Sequence, residues 1–246
     1  YNYVCLPLVR ELHKQAKAIE GLQFEIVVAE DGSDEAETIE RNAEIMALSH
    51  CRHIVNTENV GRAVIRNRLA AQANMPWLLF VDSDMRVVKP NFVERYLQLP
   101  NECTVVYGGN TTYGGAWTDE RLLRVRYEQA AERQFTAQQR AKQPHHHITT
   151  SNLLVHKAVM QTVPFDNRFI TYGYEDVFWG MSLAQKGIQV AHIDNPVGFN
   201  YYDNNVAFVA KTIEALYTLY AFSTELPDIS PIIRLERRLH RWHLDG

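Results

Sequence analysis

The sequence predicts an α/β fold, a mostly parallel central sheet flanked by helices with a C-terminal helical extension, on three observations. Segments with helical and strand patterning alternate through the first hundred residues, which is the signature of βαβ units. The run Trp77-Leu78-Leu79-Phe80-Val81 is continuously apolar and is followed at once by Asp82-Ser83-Asp84. Such a run reads as a buried central strand whose carboxyl end opens on a ligand crevice. A chain of 246 residues, 46% of them hydrophobic, is long enough for one large domain with an appendage.

The elements follow in order. Residues 5–19 carry Leu8, Leu12, Ala16 and Ile19 at helical spacing between charges, so the chain opens on a helix. Residues 24–29 are a short apolar strand running into the turn-forming cluster Glu30-Asp31-Gly32-Ser33-Asp34. A second helix is expected over 35–48, a strand over 53–56, and a third helix over 61–73 with Ala63, Leu69 and Ala70 inward and Arg62, Arg66 and Arg68 along it. That helix leads directly into the strand at 77–85. Beyond it, 104–109 is a β-branched strand, 119–142 a charged surface helix and 152–155 another strand. Residues 177–186 form a helix ended by Gly187, and 206–222 an amphipathic helix.

Charge and cysteine usage narrow the function classes. A net charge of −4 provides no overall basic field for nucleic acid, so an anionic ligand must be held by local groups. Cys5, Cys51 and Cys103 are an odd, scattered set that suggests neither a disulfide framework nor a zinc site, and a reducing, cytoplasmic compartment is expected. No run approaches the roughly 18 apolar residues of a membrane span, and no signal peptide is visible, so a soluble protein is expected.

Several groups could carry chemistry. On an extended segment Asp82 and Asp84 point the same way and can share one hard divalent cation; otherwise they form a solvated acidic turn. Arg66 lies near a helix N-terminus beside strand ends, placed for phosphate or a base edge unless a neighbouring acid occupies it. Asp31 is a turn-former or an acceptor from a ribose hydroxyl or pyrimidine N–H. Gly108, Gly109, Gly114 and Gly115 surround Tyr113 and Trp117, either as a sugar platform or as a plain loop. His145, His146 and His147 look like a metal tract, although adjacent side chains on an extended segment alternate in direction. Glu175 and Asp176 stand at a helix start, as caps or as working carboxylates. After a linker punctuated by Pro227 and Pro231, residues 232–243 hold four arginines among apolar residues. They suit an anionic membrane surface, a partner, or an ordinary closing helix.

The ordered set has a familiar form. Tyr1-Asn2, then Val27-Val28-Ala29-Glu30-Asp31-Gly32-Ser33-Asp34, then Asn59-Val60-Gly61-Arg62-Ala63-Val64-Ile65-Arg66-Asn67, then Leu78-Leu79-Phe80-Val81-Asp82-Ser83-Asp84, then Gly173-Tyr174-Glu175-Asp176 with its helix ending in Lys186-Gly187 together resemble the family 2 glycosyltransferases of the GT-A (Rossmann-like) fold. The resemblance spans about residues 1–205 and leaves 206–246 as C-terminal helices. In that family the tyrosine-asparagine pair closes the first strand, so a strand is expected to be missing ahead of Tyr1.

The resemblance implies inverting transfer from a nucleotide-sugar donor, expected to be a uridine diphosphate sugar, to a saccharide or lipid-linked acceptor hydroxyl. It implies donor contacts at Asp31, Arg62, Arg66, Asp82 and Asp84, and a divalent manganese or magnesium ion on Asp84. It further implies Asp176 as general base, with Glu175 as the fallback, and acceptor contacts at Asn152 and Trp179. The chemistry needs these types: the acceptor hydroxyl must lose a proton as it attacks, and the leaving diphosphate needs positive charge. One departure stands out. Relatives often complete the metal site with a histidine after the Glu-Asp helix, and residues 193–200 contain none. His192 is the nearest substitute ligand, or else a strand-end histidine bonded to backbone. The rival expectations are a sugar nucleotidyltransferase, for which a glycine- and lysine-rich phosphate loop is missing, and a non-catalytic nucleotide- or sugar-binding module.

Overall fold

The computed structural model describes residues 1–99, 102–112 and 118–225. The expectations for Tyr113, Gly114, Gly115, Trp117 and everything from Pro227 onward, including the basic 232–243 stretch, lie outside the described residues.

The chain runs α1 (Leu6–Lys17), β1 (Ile26–Asp31), α2 (Ala36–Ala43), β2 (Cys51–Asn56), α3 (Arg62–Gln72), β3 (Trp77–Val81), β4 (Met85–Val87), α4 (Phe92–Leu97), β5 (Val105–Tyr107) and β6 (Asn110–Thr111). It continues through α5 (Leu122–Gln134), α6 (Ala137–Arg140), β7 (Asn152–His156), α7 (Lys157–Thr162), α8 (Glu175–Gln185), β8 (Ala191–His192), β9 (Val197–Phe199) and α9 (Asn205–Ala221). The helix expected over 35–48 ends early and tightens into a 3-10 turn at Glu44–Ala47. The one expected over 119–142 breaks at Phe135 and Thr136, where the Thr136 hydroxyl accepts from the Gln139 N–H and caps a new short helix.

The α/β class holds, and the sheet pairings are mixed. β1 and β2 are parallel, as are β5 with β8 and β6 with β9. β7 runs antiparallel to both β3 and β5, and β4 antiparallel to β9. Asn152, the first residue of β7, pairs with Val81, the last of β3. The chain therefore enters β7 at the carboxyl end of the sheet and can only run back. Side chains of this sheet alternate between two cores. Val105, Leu153 and Val155 pack with Phe165, Phe169 and Trp179 on the side of α8. Val106 packs with Phe92, Tyr96, Val197 and Phe199 on the other.

Two features position the site. The apolar strand stops at Val81, and Met85 N donates to Asp82 O at 3.1 Å, so Asp82 and Asp84 sit in a tight turn and not on the extended segment that the sequence suggested. Among the described residues β1 pairs only with β2, and β3 only with β7. Both remaining edges line one cavity of about 1160 Å³ that ends at Asp31, Asp82 and Asp84. Glu25, just before β1, accepts from Asn74 Nδ2 at 2.9 Å shortly ahead of β3, so the two strands start at the same end of the cavity. The deep part of the cavity is an apolar slot between strand edges; its polar end is the site.

Candidate functional site

Three elements converge at that polar end. Asp31 closes β1, and its carboxylate accepts from the Val60 N–H at 2.9 Å and the Gly61 N–H at 3.2 Å. Gly61 has φ +86°, a conformation that glycine takes without strain, and it starts α3. Asp31 thus organises the turn that launches α3 while still lining the cavity. Arg62 follows at once, about half exposed, with its guanidinium 4.5 Å from the Tyr172 ring centroid and 3.9 Å from Glu175.

One helical turn further on, Arg66 is buried at the centre of the acids. Its guanidinium reaches Glu175 at 3.0 Å, Asp82 at 3.3 Å and Asp176 at 3.5 Å. Burial opposes the charge, but Asp176, Asp82 and Glu175 together outweigh it and hold the guanidinium above its ordinary pKa. Arg66, expected as a donor contact, is placed against protein carboxylates, donating hydrogen bonds to Glu175 and Asp82, which compensate a cation at that depth.

Glu175 and Asp176 open α8. The residue before them, Tyr174, is left-handed at φ +65°, and Gly173 at φ +101° lies where a Cβ would meet the Ala215 side chain at 2.8 Å. Asp176 does not cap its own helix. It accepts from Thr150 N and Thr150 Oγ1, both at 3.2 Å. Burial pushes its carboxyl up to about 7, with Glu175 and Asp82 adding to the rise and Arg66 opposing it. Glu175 is 5% exposed and bonded to Arg66, so it is a poor reserve base.

Asp84 is also raised, by burial and by Asp82, with Arg62 opposing. Among the described residues no other side chain donates a hydrogen bond to it. A partly buried carboxylate with no side-chain donor beside a second carboxylate makes a hard-oxygen set suited to magnesium or manganese. Among the described residues no three His, Cys, Asp or Glu side chains come together as a metal cage. The two acids fit a divalent ion whose remaining ligands come from phosphate and water.

Three other expected site residues are part of the framework. Asn152 is fully buried; its oxygen accepts from Tyr96 Oη at 2.6 Å, and its amide donates to Gly109 O and Asn195 O at 2.8 Å each. Trp179 is 1% exposed, stacked on Phe165 and donating to Val163 O at 2.8 Å. Neither can touch an acceptor. His192 uses both ring nitrogens, on Pro144 O at 2.8 Å and Arg140 Nε at 3.2 Å. Burial lowers its pKa to about 4 against the pull of the Pro144 carbonyl. It is the backbone-bonded strand-end histidine and not a metal ligand. The histidine tract points apart: His145 bonds Ile188 O, His146 bonds Gln143, and His147 packs on Phe135. Sequence reasoning missed Thr150, Tyr172, Asp203 and Lys211; the last three line the cavity mouth. Only long-range packing assembles them.

Residues 1–163 match the family model described as Glycosyl transferase family 2, about two thirds of the chain. The chain belongs to that family. It is thus a glycosyltransferase, and its solved structural neighbours share the GT-A fold. A mannosyltransferase from Pyrobaculum calidifontis, solved with GDP-mannose and Mn2+, is 16% identical with a TM-score of 0.63, over 99% of this chain and 69% of that one. TarS residues 1–349 from S. aureus are 15% identical with a TM-score of 0.57, over 94% and 73%. Glucosyl-3-phosphoglycerate synthase from Mycobacterium tuberculosis, solved with phosphoglyceric acid, is 14% identical with a TM-score of 0.56, over 93% and 78%. The same enzyme has been solved with Mn2+, UDP-glucose and phosphoglyceric acid. No curated protein matches the sequence.

Replacing Arg66 by Met leaves three acids crowded around an apolar side chain. The expected loss is about 3–5 kcal/mol of folding stability, measured by urea denaturation at neutral pH. The loss shrinks as the pH falls and the acids protonate.

Proposed function

We propose that this glycosyltransferase inverts the anomeric configuration as it moves a sugar from a nucleotide-sugar donor, taken as a uridine diphosphate sugar, to a saccharide or lipid-linked acceptor hydroxyl. One observation carries the reading: Arg66 ties Asp82, at the cavity end, and Asp176, on the far side toward Thr150, into a single ion cluster. Donor and acceptor then meet on the two sides of one fixed guanidinium.

Asp176 is the general base. Thr150 and Arg66 fix its orientation, and its raised pKa makes it a stronger proton acceptor than an ordinary carboxylate. Proton transfer from the acceptor hydroxyl to Asp176 accompanies attack on the anomeric carbon from the face opposite the leaving group. Arg62 and Asp31 line the cavity, where on this reading they meet the nucleoside and phosphates. Asp84, with Asp82 beside it, would hold a divalent ion, which supplies the positive charge that the departing diphosphate needs. Among the described residues no helix is long and apolar enough to cross a membrane. The basic amphipathic pattern of residues 232–243 suits peripheral contact with an anionic surface that carries a lipid-linked acceptor.

Asp176→Asn is expected to lower kcat by about 10²–10⁴-fold while leaving nucleoside diphosphate affinity unchanged, read by single-turnover transfer and calorimetry. The base works only when unprotonated, so kcat of the unaltered enzyme rises with pH through a limb near 7, and that limb is absent in the variant. Full turnover by Asp176→Asn would remove the base assignment. Asp84→Ala is expected to abolish the manganese dependence of donor binding in thermal-shift titrations. Proton NMR of the first-formed product reads the anomeric outcome directly, and retained configuration defeats the inverting mechanism.

A further inference from the structure

Helix α9 lies beyond the residues that match the family model, yet it faces the site. Glu214 accepts from the Tyr172 N–H at 2.9 Å, and Thr218 Oγ1 donates to Tyr172 O at 3.0 Å. Ala215 closes against Gly173. With Lys211, these positions form one stripe at spacings of three, four and seven, a single helical face. The stripe seats residues 171–173 immediately before the acids that open α8, and it sets Lys211 at the mouth of the cavity that ends at Asp82 and Asp84.

The ammonium of Lys211 is 5.9 Å from the Tyr172 ring centroid, the same ring that Arg62 covers at 4.5 Å. Asp203 holds it through both carboxylate oxygens, at 2.8 and 2.9 Å. An ammonium has three donors, and Asp203 engages two of them. The bland reading is a surface ion pair, which adds little to stability. The charge balance of the site favours more. Among the described residues, Asp82, Asp84, Glu175 and Asp176 are offset by Arg66, which is already bound to three of them, by Arg62, and at longer range by Arg124. A nucleoside diphosphate adds further negative charge to a cavity that is already acidic, so a cation at the entrance favours its binding.

We propose that Lys211, oriented by Asp203 and stacked with Arg62 about Tyr172, is a donor-binding residue that contacts the distal phosphate of the nucleoside diphosphate. This rests on the glycosyl-transfer reading above and makes the C-terminal helix part of the donor site. The third ammonium donor goes to a phosphate oxygen, a charge-assisted bond that a nucleoside monophosphate is too short to receive.

The test is calorimetry of UDP, GDP, UMP and GMP with manganese on the full chain and on Lys211→Met and Lys211→Arg. The side chain is 40% exposed, so both variants are expected to melt with the unaltered protein. For Lys211→Met, diphosphate affinity is expected to fall about tenfold or more, with monophosphate affinity unchanged and its diphosphate binding less sensitive to salt. Lys211→Arg keeps most of the affinity. Unchanged diphosphate affinity in Lys211→Met, or equal losses for diphosphates and monophosphates, overturns the assignment and leaves the donor reading standing. An unaltered protein that binds none of the four nucleotides overturns both.

Discussion

The buried guanidinium of Arg66 is the constraint from which the rest of the site follows. A cation at that depth must be compensated, and the carboxylates that compensate it come from two elements other than its own helix α3: the turn after β3 that carries Asp82, and the start of α8 with Glu175 and Asp176. Three carboxylates share one arginine, and burial together with the excess negative charge raises the Asp176 carboxyl. Asp84, with no ion pair to that arginine, remains a partly buried carboxylate suited to an added cation. Filling such a space with apolar residues is often neutral or stabilising, but here it would remove the Asp176 carboxylate.

Much of this was legible in the residues. The apolar run into Asp82 and Asp84 marked the strand end that carries the site, and the alternation of helices and strands gave the α/β class. Other parts were hidden for identifiable reasons. A strand's own residues do not state the direction of its neighbours, so the antiparallel setting of β7 was not foreseeable from its apolar pattern. Asn152 and Trp179 are residue types that serve acceptor sites and cores equally well, and only their burial assigns them to the core. The break in the 119–142 helix lacks glycine and proline, but Thr136 is a helix-starting residue type, and that signal was present in the sequence.

The two halves of the site rest on different support. Asp31, Arg62, Arg66, Asp82 and Asp84 fall within the residues that match Glycosyl transferase family 2, while Glu175, Asp176 and all of α9 fall outside them. Geometry is what links the halves: the Arg66 ion cluster on one side, and the α9 stripe under residues 171–173 on the other. The absence of a histidine from residues 193–200 fits this division. With His192 committed to Pro144 and Arg140, the polar end of the cavity is lined by the carboxylates of Asp31, Asp82 and Asp84.

The coupling between α3 and α8 is read by a double-mutant cycle of Arg66→Met and Glu175→Gln, scored by urea denaturation at neutral pH. If the buried cluster joins α3 to α8, the two substitutions are strongly non-additive, with a coupling energy of about 2 kcal/mol or more. Additive losses within about 0.5 kcal/mol would mean that the two helices are held together without the ion cluster, and would contradict the account.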